Sequence, residues 1–84
     1  MYKVILKKSA KKDLLNIPDK YYNLIGKHLL DLEQNPRPFG YIKLADTDNT
    51  YRIRVGVYRI IYTIEDEILT VEVIKIDHRS SVYK

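Results

Sequence analysis

Residues 51–62 read Tyr-Arg-Ile-Arg-Val-Gly-Val-Tyr-Arg-Ile-Ile-Tyr. Apolar and charged side chains alternate on either side of Gly56, so the stretch describes two β-strands, about 50–55 and 57–64, joined by a tight turn. Setting Arg54 opposite Arg59 brings Ile53 to Ile60 and Tyr51 to Tyr62. One face is then apolar, and the other carries Arg52, Arg54 and Arg59. A third strand, about 68–77, follows the turn Glu65-Asp66-Glu67. Placing Leu69, Val71 and Val73 beside the apolar residues of the second strand puts Ile68, Thr70, Glu72, Ile74 and Ile76 on the arginine side. A strand that runs straight on adds His78 to that side.

Upstream, the short β-branched run Tyr-Lys-Val-Ile-Leu-Lys at 2–7 reads as a first strand, with Ser9 as a helix N-cap. Leu14, Ile17, Tyr21, Leu24, Ile25, His28 and Leu32 then recur at spacings of three and four, which is one apolar helical stripe. Proline is tolerated in a first turn but not in a helix interior, so Pro18 divides the stripe into helices near 10–16 and 19–34. Asn35-Pro36-Arg37-Pro38 stops the second helix, and 36–49 is a connection in which 41–44 is extended and 46–49 is a turn. The fold class is α+β: a strand, two helices, then a three-stranded antiparallel meander. The helical stripe must bury itself on the apolar sheet face, which leaves the arginine face open to a partner.

The chain has 84 residues and no Pro/Gly-rich break, which suits a single domain over 1–84. It has no cysteine, which excludes a disulfide scaffold, a thiolate metal site and a cysteine nucleophile. No run approaches the roughly 18 apolar residues of a membrane span, and the polar start lacks a signal-peptide core. A cytoplasmic location is expected. Net charge is +4, and four of the five arginines fall at 52, 54, 59 and 79. Planar, permanently charged guanidinium forks in a cluster suit phosphate or carboxylate, so a polyanion is the expected partner.

One carboxylate, Glu72, is placed to pair with Arg59 across the strands, but it does not neutralise three arginines. No metal-ligand spacing and no phosphate-binding glycine loop is present, so neither a metal nor a cofactor is expected. His28 lies on the helical stripe and reads as a boundary or core histidine. His78 and Tyr83 fall in the final run Asp77-His78-Arg79-Ser80-Ser81-Val82-Tyr83. Each has an ordinary structural reading, as a strand-end histidine paired with Asp77 and as an apolar tail anchor. Converging with the arginines, they would also suffice for metal-free RNA cleavage by the ribose 2′-hydroxyl. That reaction needs a base, fixed positive charge for the phosphorane, and an acid for the leaving oxygen. Arginine supplies the charge and cannot be the base.

Ser9-Ala10-Lys11-Lys12-Asp13-Leu14, Leu32-Glu33-Gln34-Asn35-Pro36, Lys43-Leu44, the 51–62 stretch and His78-Arg79-Ser80-Ser81-Val82-Tyr83 together resemble the RelE/ParE toxin superfamily over nearly the whole chain. The resemblance implies a four-stranded, mostly antiparallel sheet with helices on one face. It also implies a type II toxin that an acidic, RelB-like antitoxin neutralises by wrapping it. A heterotetramer with the antitoxin, meeting operator DNA through the antitoxin, is the assembly it suggests. The RelE branch implies a ribosome-dependent endoribonuclease acting on mRNA. By position, Arg52 and Arg54 then correspond to basic strand residues, Arg59 to a phosphate-stabilising arginine, and Tyr83 to a C-terminal tyrosine. Arg79 matches a basic residue of the terminal motif, and His78 shares its candidacy. The ParE branch implies instead a non-enzymatic inhibitor of DNA gyrase on the same fold, and an inactive antitoxin-binding homologue is a third reading.

Overall fold

The computed structural model describes residues 1–78. In chain order these form β1 (Lys3–Leu6), α1 (Lys8–Leu15), α2 (Asp19–Gln34), β2 (Ile42–Lys43), β3 (Thr50–Val55), β4 (Tyr58–Glu65), a 3₁₀ turn (Asp66–Ile68) and β5 (Thr70–His78). Among the described residues, five strands make one sheet in the order β1-β5-β4-β3-β2, parallel only between β1 and β5. The expected strand, helix pair and meander are all present. The sheet exceeds the expected four strands because Ile42 and Lys43 pair with Arg52 and Tyr51.

Pro18 separates the helices as expected. It stands at the N-cap of α2 with φ −56°, and its carbonyl accepts from the amides of Tyr21 and Tyr22. Ser9 does not cap α1, since the N-cap is Lys7 and makes no side-chain bond. The reason lies in the sheet. β1 ends at Leu6, so β5 beyond Val73 would have a bare edge of backbone polar groups. The Ser9 hydroxyl donates to the Ile74 carbonyl (2.6 Å), and Asp13 Oδ2 accepts from the Ile76 amide (3.0 Å). Four residues apart, the two side chains share one helix face and close that edge.

The core lies between the helices and one sheet face. Ile17, Ile25, Leu29 and Leu32 meet Tyr51, Ile53, Val55, Tyr58, Ile60, Tyr62, Ile64, Val71 and Val73, all buried. Each such side chain contributes about 1.5–3 kcal/mol on leaving water. His28 is half-buried at the border of the helical stripe, as expected of a boundary residue.

The hairpin register of β3 and β4 is the expected one: Tyr51 faces Tyr62, Ile53 faces Ile60 and Arg54 faces Arg59. Gly56 opens the two-residue turn with φ 61°, and a Cβ there would stand 3.3 Å from the Tyr21 ring, so both backbone and packing require glycine. The β4–β5 hairpin departs from expectation. Tyr62 faces Val73, but Ile61 faces Lys75 and Ile60 faces Ile76, because a bulge adds one residue to β5 at Ile74. One extra residue reverses the parity of everything after it. Ile76, expected on the arginine side, is therefore a buried core residue at 4 % exposure. Leu69, expected in the core, is half exposed in the left-handed region at φ 48°, where it ends the 3₁₀ turn.

Candidate functional site

Strand alternation lifts Arg52 and Arg54 from β3 and Arg59 from β4 onto the sheet face turned away from the helices. Arg54 and Arg59 are direct cross-strand partners, so their Cβ atoms start only about 5 Å apart. Arg52 stands two residues along, opposite Ile61. Arg52 and Arg59 are half-buried, with Nε atoms shielded from water, whereas Arg54 is exposed. Partial burial of the stems holds two of the three forks in place. Ile61 and Ile74 lie half-buried on the same face, and Ile42 is exposed beside Arg52.

The acidic counterpart is not Glu72. Register sets Glu72 opposite Thr63, four residues along β4 from Arg59, a distance of roughly 13 Å. The bulge brings Asp77 opposite Arg59 instead. Asp77 also pairs with Lys75 Nζ at 3.4 Å, so this single carboxylate sits among several cations. Among the described residues Arg54 makes no ion pair.

His78 is a correction of the same kind. It faces Tyr58 across the strands, on the helix side, with ring centroids 5.2 Å apart and planes at 84°. There it borders a cleft of about 370 Å³ lined also by Asp13, Asn16, Ile17, Ile76 and Asp77. The straight strand that would have carried it to the arginines is broken by the bulge. Arg79 and Tyr83 lie outside the described residues. Among the described residues no group of three His, Asp or Glu side chains gathers to hold a metal ion, and no helix is long and apolar enough to cross a membrane.

A polar network escaped the sequence reading. Arg37 binds Asp66 through two hydrogen bonds (3.2 and 2.8 Å), and the Tyr2 hydroxyl donates to Asp66 Oδ1 at 2.6 Å. The Arg37 fork also lies over the Tyr51 ring, 5.7 Å from its centroid. The Arg37 hydrogen bonds, then that of Tyr2, hold the Asp66 carboxyl down to about 2. The Asp66 carboxylate in turn raises the Arg37 guanidinium and the Tyr2 phenol. Nearby, the buried Tyr62 hydroxyl donates to the Pro36 carbonyl at 2.7 Å, and burial pushes that phenol up. These bonds tie residues 36 and 37 to the sheet and so fix the start of the loop that leads to β2.

The geometry can hold an anion with oxygens on several sides. The family described as the ParE toxin of type II toxin–antitoxin systems, parDE, matches residues 4–83. Toxin RelG of Mycobacterium tuberculosis is 30% identical, over 99% of this chain and 97% of its own. Among solved structures, the archaeal RelE–RelB complex from Pyrococcus horikoshii OT3 superposes with a TM-score of 0.83 at 31% identity, over 93% of this chain and 94% of that one. The toxin–antitoxin complex RelBE2 of M. tuberculosis gives 0.82 at 30% identity, over 93% and 98%.

Proposed function

Because the chain belongs to the ParE toxin family of type II toxin–antitoxin systems, in the RelE/ParE superfamily, we propose that it is a ribosome-dependent endoribonuclease. Its arginine face would hold an mRNA phosphate while the adjacent ribose 2′-hydroxyl attacks it. The 2′-oxygen bonds to phosphorus, the bond to the 5′-oxygen breaks, and the products are a 2′,3′-cyclic phosphate and a free 5′-hydroxyl. One proton leaves the 2′-hydroxyl and one reaches the 5′-oxygen, so no metal or cofactor is needed for balance.

The observation that carries this reading is the grouping of Arg52, Arg54 and Arg59 on a rigid, helix-free sheet face. Fixed donors aimed at a developing phosphorane charge need no reorganisation as the reaction proceeds. Arg59 is the candidate for that charge, with Arg52 and Arg54 positioning the strand and Arg79 adding to them. His78 stands on the other side of the sheet, so proton transfer falls first to Tyr83 or to the ribosome. The site of action is then the cytoplasm.

Solved relatives are toxin–antitoxin complexes, which supports a RelB-like antitoxin as the partner, and the cluster of arginines makes this same face the one an acidic antitoxin would cover. Charge reversal at Arg52 and Arg54 should weaken that complex, and unchanged affinity would place the antitoxin elsewhere. A toxin–antitoxin heterotetramer that meets operator DNA through the antitoxin belongs to the same reading.

The family description favours one second reading, a ParE-like protein that inhibits DNA gyrase without chemistry. Inducing the chain and following mRNA by primer extension alongside plasmid supercoiling separates the two. Transcript cuts that require ribosomes support the nuclease. Intact transcripts with trapped gyrase would replace it, and neither effect would leave an antitoxin-binding homologue.

A further inference from the structure

Phe39 is fully exposed, in the loop between α2 and β2, and packs on nothing in the core. An isolated exposed aliphatic side chain is ordinary, but a whole aromatic ring held in water at the mouth of a cavity is not. The cavity, of about 650 Å³, opens where β2 ends and leaves the edge of β3 uncovered. Its walls include Phe39 from the loop, Ile42, Arg52 and Arg54 from the sheet, and His28 and Asp31 from α2. Gly40, at φ 91°, turns the chain directly after Phe39 in a conformation that other residues resist. The loop is anchored just upstream by the bonds of Arg37 and Pro36. The ring is thus presented by a fastened support.

We propose that this cavity receives a nucleobase of the RNA strand whose phosphates lie on the arginines, with Phe39 as the stacking platform and Asp31 as the group that reads the base. The inference rests on the RNA reading above and deepens it. The cavity carries two opposite charges that do not pair: among the described residues, neither the Asp31 carboxylate nor the Arg54 guanidinium makes an ion pair. A ligand that brings an anion to one wall and N–H donors to the other satisfies both, and a nucleotide does so. Single-stranded bases are recognised by aromatic stacking together with hydrogen bonds to their Watson–Crick edges. Guanine offers two adjacent donors, N1–H and the N2 amino group, to the two oxygens of one carboxylate. Adenine, cytosine and uracil each offer a donor at only one ring position. Guanine is therefore the base this wall selects.

The test uses short single-stranded RNA with 2′-deoxy substitution at the central residues, which binds but is not cut, and varies the central base. Affinity is read by fluorescence anisotropy at low salt. The wild-type chain should favour guanine over inosine, which lacks the N2 amino group. Phe39→Ala should weaken every oligonucleotide by about tenfold, the scale of one lost stacking contact, and Phe39→Trp should restore binding. Asp31→Asn should abolish the guanine preference without weakening the other bases. Exposed as they are, neither residue supports the core, and circular dichroism should be unchanged. Wild-type binding with no base preference, unaltered by Phe39→Ala, overturns this proposal and leaves the nuclease reading standing. No wild-type binding to any oligonucleotide or to mRNA-loaded ribosomes overturns both. A Phe39→Ala variant that binds RNA normally and loses only its antitoxin assigns the loop to a protein partner and also overturns it.

Discussion

The hairpin of β3 with β4 and the hairpin of β4 with β5 share a strand, yet they obey their sequences differently. In the first, alternation holds to the turn, the turn has glycine where φ is positive, and every pair stands where period two puts it. In the second, alternation holds only from Thr70 to Val73, a bulge intervenes, and the turn puts leucine in the left-handed region. The first hairpin consequently gathers three arginines on one face. The second turns its last residues over, burying Ile76, bringing Asp77 beside Arg59 and sending His78 to the helix side. A single inserted residue thus decides which titratable groups can share a site, though it leaves the strand count unchanged.

The largest test of this contrast is catalytic. If the chain is the proposed nuclease, Arg59→Ala should lower ribosome-dependent mRNA cleavage by about 10²–10³-fold, the scale of one lost charge-stabilising donor. His78→Ala should cost less than the roughly 10²-fold that marks a lost general acid or base. Primer extension on ribosome-bound message measures both, and equal losses would bring the two hairpins into one site.

Ile76→Ala tests the core position that the bulge gives this residue opposite Ile60. Urea unfolding should show a loss of roughly 3 kcal/mol, as for other emptied aliphatic core positions. A loss below about 0.5 kcal/mol, the scale of a surface change, would return Ile76 to the arginine face where strict alternation puts it. The turns make a smaller, paired comparison. Leu69→Gly should raise stability by about 1 kcal/mol by relieving its left-handed backbone, while Gly56→Ala should lower it by at least about 1 kcal/mol. Two changes of the same sign would contradict the backbone account.

The smallest effect concerns the 3₁₀ turn that begins the second hairpin. Asp66 is held at about 2 against an ordinary 3.8, chiefly by Arg37. A carboxyl depressed in the folded state contributes stability that is fully present above pH 3.8 and is lost as pH falls through about 2. The stability gap between the parent chain and Asp66→Asn should therefore shrink from pH 4 toward pH 2. Equilibrium unfolding at pH 5, 3 and 2 checks this, and a gap that stays constant would remove the ion pair as its source.

By itself the sequence determined which residues alternate, where proline divides the helices, and that Arg52, Arg54 and Arg59 share the face away from the apolar stripe. Those properties depend on neighbours a few positions apart, which covalent geometry relates directly. Its resemblance to RelE/ParE toxins was likewise carried by the order and spacing of local runs. Tertiary structure alone decided the rest. Ser9 left its capping role because the bare edge of β5 offered a carbonyl 65 residues away. Arg37 and Tyr2 met Asp66 across 29 and 64 residues, which no local spacing encodes. The side on which His78 stands was settled by a bulge, whose parity shift depends on how β5 fits between β4 and the α1 side chains.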